Sequence, residues 1–238
     1  MDQSHCGASV GNTKISDLIF ADDAVILAES LEALVTALEA LHEEAKPLGL
    51  KVSWTKTKVQ EFGDLLGDDI QSVRACGGNI EILDSFTYLG SVVHNDGGSG
   101  WEVTRRLGLA YGVMDSLNRS IWRSRYLTRR TKTRLFRALV LPVLLYGSET
   151  WTLTSALKAR LDSFGTKCLR RIMGYTWRDR VSNQRILRET GVTPITSQIY
   201  ERQLQLYGHV ARLPEEDPAH RVISERIDPG WRRPRGSR

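Results

Sequence analysis

Two adjacent aspartates, Asp22 and Asp23, stand between two short apolar runs. Leu18, Ile19 and Phe20 lead into them, and Val25, Ile26 and Leu27 lead out. Each run is rich in β-formers and too short to hold a helix of its own. The pattern predicts a strand, a tight turn over Ala21-Asp22-Asp23-Ala24, and a returning strand. Burial of both strands would present two carboxylates at an exposed apex. Ionised carboxylates are costly to bury, so the pair needs water or cations around it. A hard divalent ion such as Mg²⁺ suits the position, because it takes oxygen ligands and keeps several of its waters. Asp-Asp also suits an ordinary turn, so the rest of the chain has to decide between the two.

Beyond the hairpin, Ser30 is placed to cap a helix running to about Lys46. Leu31, Leu34, Val35, Leu38 and Leu41 recur at helical spacing and form its apolar face, with Glu32, Glu39, Glu43 and Glu44 largely outside. Pro47 and Gly49 end it. The next block contains Val52, Trp54, Thr55, Lys56 and Lys58; its β-formers predict a strand, with both lysines on one face. Residues 62–79 read as a Gly- and Asp-bearing hairpin loop. Strand character returns from Ile80 through Phe86-Thr87-Tyr88-Leu89-Gly90 to Val93, and residues 95–100 are all turn formers. Helices dominate thereafter. Val103, Leu107, Ala110, Tyr111, Met114 and Leu117 form one stripe, Thr128 is placed to cap a second helix, and Ser155 a third.

Charge divides the chain unevenly. Of 33 Lys and Arg, 6 lie in residues 1–100, against 16 of the 28 Asp and Glu; residues 101–238 carry the other 27 and 12. The acidic part suits metal ions and the basic part suits a polyanion. The basic charge peaks between 118 and 137, where Arg119, Arg123, Arg125, Arg129, Arg130, Lys132, Arg134 and Arg137 occur with no acid among them. Trp122 and Tyr126 are interleaved. Cations for phosphates with aromatics for stacking are the composition expected of a nucleic-acid groove. Three scattered cysteines argue against a disulfide scaffold. No membrane span and no secretory leader are expected, so an intracellular site, cytoplasmic or nuclear, is.

Phe20-Ala21-Asp22-Asp23, in its longer context from Ile15 to Ala28, resembles the aromatic-x-Asp-Asp motif of reverse transcriptases, in the version found in non-LTR (LINE-type) retrotransposons. Four further blocks occur in that family's order. Gly49-Leu50-Lys51-Val52-Ser53-Trp54-Thr55-Lys56-Thr57 is similar to its Gly-Leu-x-Ile-Asn-x-x-Lys-Thr block, with Val-Ser in place of Ile-Asn. Residues 86–90 resemble its Phe-x-Tyr-Leu-Gly primer grip. Leu144-Leu145-Tyr146-Gly147-Ser148-Glu149-Thr150-Trp151 and Gly208-His209-Val210 resemble strings found after the polymerase core.

The resemblance implies an RNA-directed DNA polymerase, a nucleotidyltransferase working on an RNA template, a DNA primer and deoxynucleoside triphosphates. It implies that Asp22 and Asp23 bind Mg²⁺ in a two-metal site and that Lys56 faces the incoming phosphates. Phe86, Tyr88, Leu89 and Gly90 would hold the primer end. Catalysis in the family needs a further Asp on a separate upstream strand. Only Asp2 and Asp17 precede Asp22, and neither lies in such a context. The expectation is therefore a rear palm, thumb and post-thumb region that does not polymerise alone. The fold class expected is α+β: a small antiparallel sheet with one packed helix over 1–95, a helical thumb-like domain over 96–178, and a helical region with a basic tail over 179–238. The alternative function is a non-catalytic nucleic-acid-binding protein derived from the thumb.

Overall fold

The computed structural model describes residues 6–10, 13–63 and 71–224. The basic tail at 230–238 and the centre of the 62–79 loop lie outside them. The fold is α+β. Among the described residues the strands pair as four separate two-stranded antiparallel sheets, and contacts divide the chain into two compact units. One is drawn from Met1–Asp84 and Tyr207–Arg238, the other is Ser85–Leu206.

In the first unit, β1 (Ala8–Val10) pairs with β2 (Thr13–Ile15), and β3 (Asp17–Phe20) pairs with β4 (Asp23–Ile26). Helix α1 (Leu31–Ala45) begins where expected: the Ser30 hydroxyl accepts from the Ala33 N–H at 3.2 Å. It ends in a single 3₁₀ turn at Lys46–Leu48, closed by Gly49 at a φ of 71°. Leu38 from α1 meets Val59, Ala75 and Ile80 in a small core, with Ile26, Leu34, Val35 and Trp54 packed around it. Ala75 and Ile80 come from the hairpin of β5 (Ser72–Ala75) and β6 (Gly78–Glu81).

The predicted strand through Lys56 does not form. Ser53 O accepts from the N–H groups of both Lys56 and Thr57, so the chain turns there. Only Val59 bridges, in parallel to Ile82. Trp54, whose side chain suggested a strand, instead packs its ring against His42 of α1 at 5.5 Å. Tertiary packing has overridden β-propensity, which is mostly a preference for half-buried surface.

The second unit is built on α2 (Gly100–Ser116), which packs against the hairpin of β7 (Ser85–Tyr88) and β8 (Ser91–His94). Thr128 caps α3 (Arg129–Leu135) as expected, its hydroxyl accepting from the Thr131 N–H at 3.1 Å. The helix continues through a π-helical stretch, Phe136–Val140, into α4 (Leu141–Leu144). Pro142 has no N–H to offer the carbonyl four residues back, which accounts for the irregular register. Helix α5 (Ser155–Met173) is capped one residue earlier than the sequence suggests. Thr154, in extended conformation, accepts from the Leu157 N–H at 3.3 Å, and Ser155 is already helical. α6 (Asn183–Thr190) and the start of α7 (Ile195–Val210) close the core. Asp162 of α5 accepts from both the N–H and the hydroxyl of Thr196, satisfying free donors at the start of α7.

Val103, Leu107, Ala110 and Met114 of the predicted stripe are buried, with Phe136, Leu144, Leu161, Phe164 and Leu169, in one continuous core. Tyr111 is at its edge, its ring meeting Phe164 edge-on at 4.6 Å. Among the described residues no helix is long and apolar enough to cross a membrane. Phe164→Ala is expected to lower the unfolding free energy of the second unit by about 3–5 kcal/mol, because it leaves a large cavity in that core. Ile19→Ser, on the exposed strand β3, is expected to change stability by less than about 0.5 kcal/mol. Urea unfolding followed by circular dichroism compares them.

Candidate functional site

Asp22 and Asp23 lie at the apex of the β3–β4 hairpin, as the sequence predicts. Phe20 pairs with Asp23, so Ala21 and Asp22 alone make the turn. Ala21 takes a left-handed φ of 55°, a conformation that costs an L-residue about 1–2 kcal/mol. Both carboxylates are exposed. The strands leading to them are not buried as the apolar pattern implied. Leu18, Ile19 and Phe20 are 47, 72 and 61% exposed, while Val25 and Ile26 are half-buried. The hairpin pairs only with itself, so nothing among the described residues covers β3.

Asp17 pairs with Ile26 at the opposite end of that hairpin. Asp23 sits opposite Phe20, three strand positions and about 10 Å along the hairpin from Asp17, too far for the two to share one ion. Among the described residues no group of three His, Cys, Asp or Glu side chains is placed to hold a metal. Two-metal chemistry needs ions about 3.5–4 Å apart, with carboxylates from more than one element. The Asp22–Asp23 pair, on one turn, does not meet that need alone. Lys56 is exposed on its own turn, with no hydrogen bond or ion pair to either aspartate; Lys58 pairs with Glu81 at 2.8 Å.

The second unit brings residues 86–90 into a built environment. Tyr88 pairs with Ser91, leaving Leu89 and Gly90 as a two-residue turn with φ values of 46° and 77°. Left-handed conformations at both central positions are what a tight hairpin turn demands. The turn's carbonyls are all occupied. Tyr146 Oη donates to Leu89 O at 2.9 Å, Arg105 Nη2 donates to Gly90 O at 2.6 Å, and Arg106 Nη2 donates to the same oxygen. Glu102, only 3% exposed, holds both guanidiniums: it accepts from Arg105 Nε and Nη2 at 2.8 Å and from Arg106 Nε at 2.6 Å. It also accepts from the Val92 N–H at 3.0 Å. Burial pushes the Glu102 carboxyl up, but the bonds from Arg105, Arg106 and Val92 outweigh it, so the group lies below the ordinary glutamate range.

This network explains the string at 144–151, whose role the sequence alone leaves opaque. Tyr146 bonds the hairpin turn and stacks under the Arg106 guanidinium at 4.4 Å. Gly147 has a φ of 69°, and a Cβ there would stand 2.7 Å from Ser91 Oγ, so any other residue would strain the backbone and turn the Ser91 hydroxyl aside. Trp151 is buried in the core. The sequence offered one clue to Glu102, Arg105 and Arg106, their i, i+3 and i+4 spacing. Nothing in it pointed to Gly90 as the shared acceptor. Phe86 and Leu89 are 37 and 40% exposed, and Tyr88 is half-buried.

The basic run separates into two groups. Arg119, Arg123, Arg125, Arg129, Arg130, Arg134 and Arg137 are exposed. None of the seven forms an ion pair among the described residues. Tyr126, between them, is 98% exposed. Trp122 and Lys132, by contrast, are inside, which corrects the expectation that they contact a nucleic-acid strand. Trp122 Nε1 donates to Met114 O at 2.7 Å. The Lys132 ammonium donates to Trp122 O at 2.8 Å, capping a helix-end carbonyl with a cation. Burial of Trp122 contributes about as much as any core aromatic. Cys168, buried in the same unit, has its thiol pushed up to about 12 by desolvation and is not a nucleophile.

Comparison with known proteins finds a relative of transposon origin. The chain is 27% identical over 210 residues to an uncharacterized transposon-derived protein of Caenorhabditis elegans, covering 85% of this chain and 74% of that one. This similarity points to an origin in a transposable element. No protein-family model matches the chain, and no solved structure matches it.

The buried network has a pH signature. Glu102 is depressed in the folded state, so its contribution to stability is complete above the ordinary glutamate value. It is lost as pH falls through the lowered one. Denaturant midpoints measured from neutral pH down through the carboxylate range are expected to fall for the native chain. Glu102→Gln is expected to be less stable at neutral pH and to show a flatter acid limb, because the titrating group is gone.

Proposed function

We propose that this chain is part of a non-LTR retrotransposon reverse transcriptase that binds a nucleic-acid strand and does not polymerise unaided. The observation that carries the binding half is the exposed arginine set: seven guanidiniums between 119 and 137, none in a salt bridge among the described residues, around an almost wholly exposed tyrosine; Arg129 lies over the Tyr175 ring and within the field of Glu189. Un-neutralised arginines repel one another unless water, salt or a polyanion screens them. Phosphates do so with the planar fork that guanidinium favours. Tyr126 adds a stacking surface for a base, worth about 1–3 kcal/mol in such interfaces. RNA template and DNA primer are the partners the motif order favours. The transposon-derived relative supports the same reading.

The catalytic half is incomplete. Asp22 and Asp23 are the residues for Mg²⁺, Lys56 for the nucleotide phosphates, and Phe86, Tyr88, Leu89 and Gly90 for the primer end. The described residues supply no third carboxylate, so no transfer step is assigned to this chain. Deoxynucleoside triphosphates are substrates of the complete enzyme.

Two measurements test this. Primer extension by the purified chain with Mg²⁺ and all four triphosphates is expected to give no product, with or without Asp22→Ala and Asp23→Ala. Extension by the native chain that the double variant abolishes would overturn the claim of inactivity. Oligonucleotide binding at ~50 mM salt is expected to be tight and to weaken steeply as salt rises. Tyr126→Ala should weaken it about fivefold or more without shifting thermal stability, and Arg125→Glu with Arg130→Glu should reduce the salt slope. Absence of any binding at low salt would remove the reading.

A further inference from the structure

The second unit holds a cleft of about 270 Å³ that the exposed arginine face does not by itself explain. Two of its lining side chains are arginines from different helical segments: Arg137, at the end of the basic run, and Arg202, from α7. Gln198 and Thr193 add polar groups, Leu141 and Val192 add apolar wall, and no aspartate or glutamate lines it. Nothing in the linear order of residues singles out Arg202.

Both guanidiniums are aimed by main-chain carbonyls. Arg137 Nη2 donates to Thr190 O at 3.3 Å and to Gly191 O. Arg202 Nη1 donates to Leu145 O at 3.0 Å. Neither has a carboxylate partner among the described residues, whereas Arg105, Arg106, Arg171 and Arg185 of the same unit all do. A carbonyl orients a guanidinium but does not neutralise it. Arg137 and Arg202 are both exposed, so water screens part of their repulsion, and an anion shared by the two would remove more of it. Each arginine has spent a single nitrogen on its carbonyls, so each keeps N–H donors for a phosphate fork.

We infer that this cleft binds a phosphate group, held by Arg137 and Arg202, with Gln198, whose amide already donates one N–H to Thr193 O at 2.9 Å, offering its second N–H. The cleft is larger than a bare phosphate needs and has an apolar wall. Its ligand class is therefore a phosphate ester, with the attached sugar or ring against Leu141 and Val192. Resting on the strand-binding reading above, that ester is a phosphodiester of a strand lying over residues 129–137, since Arg137 belongs to both surfaces. A free nucleotide offers the same chemistry from another source.

The full chain is to be titrated with a deoxynucleoside 5′-monophosphate, with the matching nucleoside, and with a short single-stranded oligonucleotide. Each titration is repeated for Arg202→Gln and Arg202→Lys, with thermal melts reporting that each variant folds. The monophosphate is expected to bind and the nucleoside not to. Arg202→Gln should weaken both monophosphate and oligonucleotide by about tenfold or more, the range for a lost bond to a charged group. Arg202→Lys should fall between, keeping the charge without the fork. The monophosphate should also displace the oligonucleotide. If the folded Arg202→Gln chain binds the oligonucleotide unchanged and the native chain ignores the monophosphate, the cleft is no phosphate site, while strand binding stands. If the monophosphate binds through Arg202 but no oligonucleotide binds, the cleft stands as a site for a small phosphate ester and the strand reading falls.

Discussion

The carboxylate of Glu102 is the point on which the second unit turns. It is almost wholly removed from water, yet it carries a charge, because two guanidiniums and a main-chain N–H surround it. Taking charges out of water is expensive, and only a fully bonded arrangement offsets the cost. Here the arrangement extends beyond the charges. Arg105 and Arg106 continue to the carbonyl of Gly90, so the same carboxylate that orients two side chains of α2 also sets where the β7–β8 turn lies. Remove the acid, and two adjacent cations would face one carbonyl with nothing between them. The turn held in this way has both of its carbonyls fixed by side chains from α2 and from Tyr146.

The two units differ in how firmly they present their chemistry. The acidic pair sits on a hairpin whose first strand is open to water and whose nearest core rests on Leu38, Val59, Ala75 and Ile80. The basic face sits on helices packed around a much larger core that includes Phe136, Leu144, Leu161 and Phe164. Rigid elements hold a binding surface better than loosely covered ones, because less ordering entropy is lost on contact. An exposed apolar strand with unpaired edges, in contrast, is a surface waiting for cover. The exposed arginines thus stand on a well-packed scaffold, and the two carboxylates on a sparsely covered one.

Composition alone misassigned some of the basic run. Trp122 and Lys132 are chemically suited to stacking and phosphate contact, and they occur among exposed arginines. They serve instead to close the turn between α2 and α3, with the indole N–H and the ammonium each satisfied by a main-chain carbonyl. A buried lysine is tolerated where a helix end supplies the acceptor. The arginines around them kept their heads in water, which is the usual outcome for a long side chain that ends in a charge.

The helix caps at Ser30 and Thr128, the apolar stripe of α2 and the hairpin carrying Asp22 and Asp23 were legible in the linear chain, whereas β1, β2 and β5, in stretches read as lead-in and loop, were not. Each of the legible features rests on interactions within a few residues, where spacing and side-chain type decide the outcome. The fate of the segment around Lys56 was not legible, nor was the exposure of Leu18, Ile19 and Phe20. The purpose of Tyr146 and Gly147 and the pairing of Arg137 with Arg202 across a cleft were hidden as well. Trp54 turns to His42 of α1, Tyr146 reaches a carbonyl 57 residues away, and the apolar side chains of β3 stay open to water among the described residues, none of which local spacing decides. Local spacing says what a side chain is able to do; only the packed chain decides which water it keeps and which neighbour it meets.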